Sequence, residues 1–530
     1  MWDLTPIHAA GADRDTRDVR IAFVHLSFRK VARSRAVRSK ALFSAHFPAL
    51  GLLNLAQQLR DHFVDRDLHD WVRYFDEEAF EDRDAMEAAI RAWLRPAALG
   101  IIGMSTYTSS IDHVSDYCRR FAGDNILVVL GGAHVTVVPD DDLPCHIIVR
   151  GEGRDALVTI IERLGAPDFL AHARLAGICC QLGDTRVDGR AATDNSIETT
   201  SVPCFAYDLL SDLDTGVYAT SYTRLLGVNP QIYVCTQSCR ARCSFCSTYL
   251  IHRRMQARPV ERIRQDLTQL RDRGYDSIEF HDDDLLQHPE FDALIDILRE
   301  IRLPWFCYAR SEILDDQVAE RMAEAGCQRV FLGLEAMTQR SLDYLNKATT
   351  VAQNHTVATA LDRHGIGAVS GLIVGLPHHT VPDVLAELDA FLALPLFAIS
   401  CNVLTPDPRT REFMRARRRG GDLQLSLGGE TGLTVIPDIQ RWGLDQPVGL
   451  PSVCESIDKG TLNDLVAVIE YAFYTRPHIT DALYSSAHTP EQREVITAYL
   501  DFVRARITER APGVTHDLVR TRITGLMAHQ

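Results

Sequence analysis

The chain has 530 residues, which is too long for one ordinary hydrophobic core, so about two to four domains are expected. Hydrophobic residues make up 46% of it and charged residues 24%, as is typical of a soluble globular protein. No apolar run is long enough to span a bilayer, no signal peptide is found, and a net charge of −15 argues against general nucleic-acid binding. Thirteen cysteines without a secretion signal indicate reduced thiols in a cytoplasmic protein.

The first 165 residues alternate short apolar runs with amphipathic runs. After a polar start that is expected to fray, the pattern predicts strands at 20–26, 73–75, 99–105, 125–131 and 146–150 and helices at 50–63, 84–94, 111–121 and 155–164. This alternation predicts a Rossmann-like α/β domain on a parallel, doubly wound sheet. Such sheets bind ligands at the carboxyl ends of their strands, so the candidate binding loops are Ser105–Ser109, Gly131–Thr136 and Gly151–Gly153.

Two further stretches near this domain carry clear patterns. The loop Arg29–Lys40 holds six cations, which form either a solvated loop or a clamp for a phosphate or carboxylate group. In a linker at residues 166–230, Gly183-Asp184 between two apolar runs predicts a hairpin, where Cys179 and Cys180 are expected to pack.

A cysteine-rich loop follows at Val234–Ser247, with Cys239, Cys243 and Cys246 in a CxxxCxxC spacing. Thiolates suit iron–sulfur clusters, and three on one loop can hold three corners of a cubane while one iron stays open for a small molecule. The alternatives are a zinc knuckle and incidental thiols. Zinc sites usually add a second CxxC pair or histidines, and no second pair is seen downstream, so the spacing favours the cluster.

From residue 231 a strand–loop–helix unit repeats. Strands are predicted at 232–234, 277–280, 305–308, 329–333, 369–374 and 398–404, with helices such as 260–273 and 291–301 between them. This count predicts a partial (β/α)6 barrel with its chemistry at the carboxyl ends of the strands. Residues 416–422 are predicted to form a loop, and two amphipathic runs at 459–474 and 490–508 are predicted to be helices of a small C-terminal domain.

The charged motifs at the ends of the predicted barrel strands have structural explanations as well as functional ones. Three contiguous aspartates at 282–284 cannot all face one magnesium ion, and Arg310 and Glu335 could satisfy each other as an ion pair. His378 and His379 could do acid–base chemistry, but they are expected to be ordinary imidazoles on a surface turn.

The cysteine loop, with Phe245 before its last cysteine, resembles that of the radical S-adenosylmethionine (SAM) enzymes. Three later stretches of the chain also resemble motifs of that family: Gly333-Leu334-Glu335, GLIVGLP at 371–377 and TPDPRT at 405–410. In the last of these, Arg409 stands where glycine is usual. The runs PALGLLNLAQQLR, GGAHVTVVPDDDL and HIIVRGEG resemble the cobalamin-binding domain that precedes many such barrels. The chain therefore resembles the cobalamin-dependent radical SAM enzymes.

The resemblance implies a cobalamin-binding domain at 1–165, a linker at 166–230, a radical SAM barrel at 231–415 and a helical domain at 416–530. It also implies three cofactors: a [4Fe–4S] cluster, SAM and cobalamin. The cluster ligands would be Cys239, Cys243 and Cys246, and the SAM contacts would be Phe245, Asp282, Arg310 and Glu335. The cobalamin contacts would be Ser105, Thr106, Tyr107, Gly131, Gly132, His134, Gly151, Glu152 and Gly153.

Two positions are excluded from these sites. Some cobalamin proteins hold cobalt through the histidine of a DxHxxG motif, and residues 362–367 spell it, but they lie in the second domain and are predicted to be a helix end. No protein histidine is therefore expected below the cobalt. The family does not use the position of Cys235, which is expected to pack.

Many members of this family are methyltransferases. The resemblance implies transfer of a methyl group from SAM, through methylcobalamin, to an unactivated carbon, less readily to phosphorus, of a small biosynthetic intermediate. The basic loop favours an anionic substrate, family habits suggest antibiotic biosynthesis, and an external electron donor such as flavodoxin or ferredoxin is expected. The alternatives are a rearrangement or cyclisation without methyl transfer, and a sensor without turnover, which the intact cysteine loop argues against.

Overall fold

The structure is a computed structural model that describes residues 1–10, 15, 18–26, 47–107, 110–123, 125–138, 143–189, 205–211, 213, 226–251, 255–404, 406, 409–418 and 453–529. These residues form two compact units, one up to residue 213 and one from residue 226 onward. In this part of the chain, no helix has the length and apolar character needed to cross a membrane. The predicted basic loop, residues 108–109 and half of TPDPRT (residues 405, 407 and 408) lie outside the described residues.

The first unit is built on a mostly parallel sheet. Its strands are β1 (Val19–His25), β2 (Val72–Asp76), β3 (Leu99–Ser105), β4 (Ile126–Gly131), β5 (Ile147–Val149), β6 (Ile178–Leu182) and β7 (Thr185–Val187). Its helices are α1 (Thr5–Ala10), α2 (Leu50–His62), α3 (Arg83–Leu94), α4 (Ile111–Arg119), α5 (Ala133–Val137), α6 (Arg154–Arg163) and α7 (Phe169–Leu175). The described strands lie in the order β2-β1-β3-β4-β5-β6-β7, and the first five pair in parallel. This arrangement confirms the predicted α/β fold, since nearly every residue of β3 is buried, as a strand covered on both faces requires.

The predicted hairpin is confirmed, and it extends this sheet. Strands β6 and β7 pair antiparallel, and β6 also pairs antiparallel with β5. Gly183 makes the turn with a φ of 56°, a conformation that glycine adopts without strain. Cys179 and Cys180 are buried, as expected for packing residues.

The prediction that the polar start frays is wrong for residues 1–10. The Trp2 and Leu4 backbone N–H groups donate to the carbonyls of Cys145 and Gln181, at 2.7 and 2.8 Å. Leu4 and Ile7 are 0% and 5% exposed. These two apolar side chains are buried, and the polar residues around them conceal that pattern in the sequence.

A buried charged group lies just beyond the carboxyl end of β2. The Glu77 carboxylate is fully buried and contacts His113 Nε2 at 3.0 Å and Arg83 Nε at 2.8 Å. Burial pushes the pKa of Glu77 upward, but the hydrogen bonds and positive charge of these two partners outweigh it and hold the pKa below its usual value.

The second unit contains six parallel strands and a two-stranded ladder. Its strands are β8 (Pro230–Tyr233), β9 (Thr236–Gln237), β10 (Gln256–Ala257), β11 (Ser277–Phe280), β12 (Trp305–Ala309), β13 (Cys327–Glu335), β14 (Gly367–Val374) and β15 (Leu396–Val403). The main sheet has the order β15-β14-β13-β12-β11-β8, so that β8 and β15 are its outer strands. All its neighbouring strands are parallel, which confirms the predicted partial barrel.

Helices connect these strands and continue after them. They are α8 (Thr248–Ile251), α9 (Val260–Asp272), α10 (Phe291–Ile301), α11 (Asp316–Glu324), α12 (Gln339–Tyr344), α13 (Val351–Arg363), α14 (Val381–Leu392), α15 (Arg411–Arg418), α16 (Lys459–Tyr474), α17 (Pro477–Ser485), α18 (Pro490–Arg510) and α19 (Asp517–Ala528). The DxHxxG run ends α13, with Gly365 at a φ of 73°, which confirms that it is a helix end. The predicted loop at 416–422 is wrong for residues 416–418, because the good helix formers Ala and Arg continue α15.

Candidate cluster and cofactor sites

The cysteine loop is fixed where it leaves β8. Asp282, at the end of the neighbouring strand β11, is 1% exposed and accepts hydrogen bonds from the Cys235 N–H at 3.1 Å and the Thr236 hydroxyl at 2.6 Å. Burial raises the pKa of Asp282 to about 6, against the effect of these donors. Farther along, Gln237 pairs with Gln256 across β9 and β10 and closes the loop. Cys235 is fully buried, as expected.

The three spaced cysteines lie within this closed loop, and none of them forms a disulfide. Cys239 Sγ accepts a hydrogen bond from Gln287 Nε2 at 3.5 Å, and Cys243 Sγ accepts one from an Arg310 guanidinium nitrogen at 3.1 Å. The Cys246 N–H donates to the Cys243 carbonyl at 3.3 Å, so the last two cysteines share a turn. Burial raises the pKa of the Cys239 and Cys246 thiols.

This donor set fits a thiolate-bound cluster. Across the described ranges, no three His, Cys, Asp or Glu side chains are close enough together to hold a metal ion as they stand. The three thiols nevertheless come from one short loop whose ends are fixed, and their contacts are hydrogen bonds that iron can replace. Three soft ligands on one loop match the open-corner cubane that the spacing predicts.

Arg310 and Glu335, both predicted to contact SAM, pair with other residues and not with each other. Arg310 is buried and donates to Glu312 Oε1 at 2.7 Å. Glu335 lies 3.7 Å from the Lys347 ammonium, which is 4% exposed. A Cβ added to Gly371 would lie 3.3 Å from Glu335 Oε2, so the carboxylate passes over bare backbone of the adjacent strand.

The three contiguous aspartates point to different partners. Asp282 faces the start of the cysteine loop, Asp283 accepts a hydrogen bond from the Thr248 hydroxyl at 3.0 Å, and Asp284 accepts one from Gln287 Nε2 at 2.8 Å. This divergence agrees with the argument against a magnesium site.

Phe245 packs against a small apolar core at the barrel strand ends. That core consists of Ala336, Leu342, Leu345, Ile373, Leu376 and Leu404. The aromatic ring therefore ties the cysteine loop to the strand β14 and to the region around α12.

The prediction that both His378 and His379 lie on a surface turn is wrong for His379. This ring is 1% exposed, burial lowers its pKa to about 4, and its Nε2 lies 3.1 Å from the Ser341 hydroxyl. His378 is half-buried beside it. The pair is held by packing and by Ser341, which lies on α12, a distant element that local sequence does not reveal.

In the first unit, the predicted binding loops contact one another at the carboxyl ends of β3, β4 and β5. The Thr106 hydroxyl donates to the Gly131 carbonyl at 2.7 Å, and the His134 N–H donates to the Thr106 carbonyl at 3.1 Å. The Gly151 N–H donates to the Thr136 hydroxyl at 3.2 Å. These bonds join the loops into one surface.

Glycine is required at residue 132, where two of these loops approach. Gly132 has a φ of 105°, and a Cβ there would lie 2.8 Å from Ser105 Oγ and from the Thr106 backbone nitrogen. Gly153 lies close to α2, where an added Cβ would be 3.0 Å from a Leu55 methyl group. The resulting low, backbone-rich surface fits a flat macrocycle.

The side chains of the same loops differ widely in exposure. Thr106 and His134 are 0% and 1% exposed, whereas Tyr107 is 57% exposed. Glu152 is half-buried, and burial raises the pKa of its carboxyl group. Thr106 and His134 therefore support the surface from below, and Tyr107 is available to a ligand.

Sequence reasoning missed three residues of the barrel site. Gln287 bridges Cys239 and the Arg240 N–H, Lys347 pairs with Glu335, and Glu412 lies behind the cysteine loop. Of these three, Gln287 alone has a local sequence signal: it follows Asp284 by three residues and donates a hydrogen bond to it. The other two residues come from distant parts of the chain.

Comparisons with known families agree with this geometry. The model of the radical SAM superfamily matches residues 233–391, and that of the B12 binding domain matches residues 41–161. The first match runs from the end of β8 into α14 and includes the cysteine loop, and the second covers the three joined loops.

Individual relatives are similar over longer stretches. An uncharacterised methyltransferase of Pyrococcus horikoshii is 26% identical over 404 residues, which is 74% of this chain and 82% of the relative. An anaerobic magnesium-protoporphyrin IX monomethyl ester cyclase of Cereibacter sphaeroides is 26% identical over 68% of this chain, which spans 58% of that relative. The solved structure of the radical SAM methyltransferase TsrM from Kitasatospora setae matches with a TM-score of 0.56 and 17% identity, over 76% of this chain and 77% of the other, and shares its fold.

Proposed function

We propose that the methyl acceptor of this protein is an unactivated carbon of a small biosynthetic intermediate. The chain belongs to the cobalamin-dependent radical SAM methyltransferases, and its cofactors are a [4Fe–4S] cluster, SAM and cobalamin. The acceptor is argued from chemistry: such a carbon has no lone pair and cannot attack the SAM methyl group directly. A nucleophilic oxygen, nitrogen or sulfur acceptor would need neither a cluster nor a corrinoid.

The observation that carries the proposal is the closed loop with its three unbridged cysteines. Cys239, Cys243 and Cys246 would hold the cluster, and Asp282 would fix the start of the loop by accepting its backbone N–H groups. When bound, the cluster supplies the electron that cleaves SAM, and cobalamin carries the methyl group.

Within the barrel, the chain's own residues would orient SAM at the carboxyl ends of the strands. Glu335 lies beside Lys347 over the glycines of β13 and β14, which leave room for its carboxylate. Arg310 is occupied by Glu312 and Cys243, so its role would be to position the loop as well as to contact SAM. Phe245 would exclude water from one side.

In the first unit, cobalamin would rest on the joined loops. Backbone at Gly131, Gly132, Gly151 and Gly153 would approach the macrocycle, and the exposed Tyr107 would contact its edge. The acceptor is best sought among small anionic compounds, because residues 29–40 include six cations in the sequence.

The test is product analysis with methyl-labelled SAM. Protein reconstituted anaerobically with iron, sulfide and cobalamin, and supplied with a reductant, is incubated with a panel of phosphonates, nucleotides and amino acids. We expect both 5′-deoxyadenosine and S-adenosylhomocysteine, with the label on a carbon of one compound. Deoxyadenosine without S-adenosylhomocysteine or label would instead indicate a cyclisation, the reaction named for one relative.

A further inference from the structure

A buried carboxylate lies directly behind the cysteine loop. Glu412, on α15, is 1% exposed, and its backbone N–H donates to the Ser244 carbonyl at 3.2 Å. One carboxylate oxygen accepts a hydrogen bond from the Tyr344 hydroxyl, and the other accepts one from Arg415 at 2.7 Å. Both oxygens are therefore used within a single small network.

The network reaches the cluster ligands through Ser244, which is fully buried between Cys243 and Phe245. The Ser244 N–H donates to the Leu345 carbonyl at 2.9 Å, and its hydroxyl contacts the Tyr344 carbonyl at 3.4 Å. Ser244 is thus held by Glu412 through its carbonyl and by the end of α12 through its N–H and hydroxyl groups.

Residues 344–348, named here the brace, make further contacts with the same loop. The Asn346 side chain donates to the Arg242 carbonyl at 2.6 Å, and the Lys347 carbonyl accepts a hydrogen bond from Arg310, which also contacts Cys243. Asn346 and Ala348 have φ values of 54° and 57°, a left-handed conformation that asparagine tolerates but that is costly for alanine. The brace therefore keeps a strained path while it supports the cysteine loop.

The surroundings of Tyr344 keep its hydroxyl group protonated. Burial and the adjacent Glu412 carboxylate raise the pKa of Tyr344 to about 12, so its hydroxyl remains a donor at working pH. The Arg415 guanidinium lies 4.8 Å from the centre of the Tyr344 ring and neutralises the buried carboxylate. The Arg415 side chain is 43% exposed, so this ion pair contributes little to stability, but its geometry can specify one arrangement of the network.

We propose that Glu412 is a positioning residue of the cluster site. It locks Tyr344 and the brace against Ser244 and thereby sets where Cys243 and Cys246 present their sulfur atoms. The inference rests on the proposed function in one respect, namely that these cysteines hold the cluster.

The test compares two conservative variants with two matched controls. Glu412→Gln keeps the shape of the side chain but loses the charge, and Tyr344→Phe keeps the ring but loses the hydroxyl. Glu470→Gln is the first control, because Glu470 is also buried and pairs with Arg506 at 2.6 Å. Tyr484→Phe is the second, because its hydroxyl contacts Thr497 at 2.9 Å, and neither Glu470 nor Tyr484 belongs to the network.

The readouts are the rate of iron loss to a chelator, the electron paramagnetic resonance spectrum of the reduced cluster, and thermal unfolding of the apoprotein. Loss of a group that orients metal ligands typically weakens metal binding at least tenfold, so we expect about tenfold faster iron loss and an altered spectrum in Glu412→Gln and Tyr344→Phe. Both controls should keep the wild-type cluster properties.

Wild-type iron loss and an unchanged spectrum in both test variants would overturn the inference, as would equal changes in the controls. If Glu412→Gln does not fold, Tyr344→Phe decides alone, because its ring and packing remain. A wild-type protein that takes up no cluster would instead contradict the proposed function, so the two failures are distinct.

Discussion

Replacing Arg409 with glycine should strengthen the turn that leads into α15. Arg409 has a φ of 64°, in the left-handed region, and its side chain is exposed. That conformation costs an L-residue about 1–2 kcal/mol, whereas glycine adopts it freely. Glycine also gains about 0.5–1 kcal/mol of freedom in the unfolded chain, so the net stabilisation is about 0.5–1 kcal/mol.

The assay is hydrogen–deuterium exchange of the peptide that covers residues 409–418 in the apoprotein. A stabilisation of about 0.5–1 kcal/mol corresponds to exchange about two- to fivefold slower in this segment. Arg409→Ala is the control, because it removes the same side chain but keeps the Cβ, and it should not slow exchange. Equal or faster exchange in the glycine variant than in the alanine variant would refute the argument from backbone conformation.

Three further predictions concern the cysteine loop and the first unit. Cys243→Ala should lose the cluster, seen as iron content and visible absorbance. Cys235→Ala should keep it, because the buried Cys235 side chain lies outside the CxxxCxxC spacing and its backbone N–H bond to Asp282 does not depend on the thiol. Gln287→Leu removes the donor to a ligand sulfur, so the midpoint potential of the cluster should fall, and an unchanged potential in a redox titration would contradict the contact. Glu77 has a lowered folded pKa, so its stabilisation is present above its ordinary value of 4.5 and is lost as pH falls through the folded pKa. Thermal unfolding of Glu77→Gln should therefore depend less on pH than that of the wild type below about pH 5.

The fold was predictable because its strands are continuous apolar runs that end at glycines and polar motifs. Leu99–Ser105 illustrates this, since the predicted and observed bounds are the same. The resemblance to cobalamin-dependent radical SAM enzymes is likewise confirmed by the two family models. Both depend on patterns that are local in sequence.

The supporting parts of the site could not be predicted, because they depend on contacts between distant residues. Glu412 contacts Ser244 across 168 positions of the chain, and no spacing rule connects them. His379 is predicted to be an ordinary imidazole on a surface turn, yet it is buried and lies 3.1 Å from Ser341 on α12. Which charged groups pair was also unpredictable, as Arg310 contacts Glu312 and Cys243 instead of Glu335.

The position of β8 at the outer edge of the sheet affects how the cysteine loop is held. A central strand is held by backbone bonds on both sides, which no single substitution removes, and the loop at its end inherits that support. The segment after β8 is held by the short β9–β10 ladder and by two side chains: Asp282, and Arg258, whose Nε donates to the Val234 carbonyl at 3.0 Å. Point mutations at Asp282 or Arg258 would therefore move the cysteine loop while the backbone pairing of the main sheet stays intact.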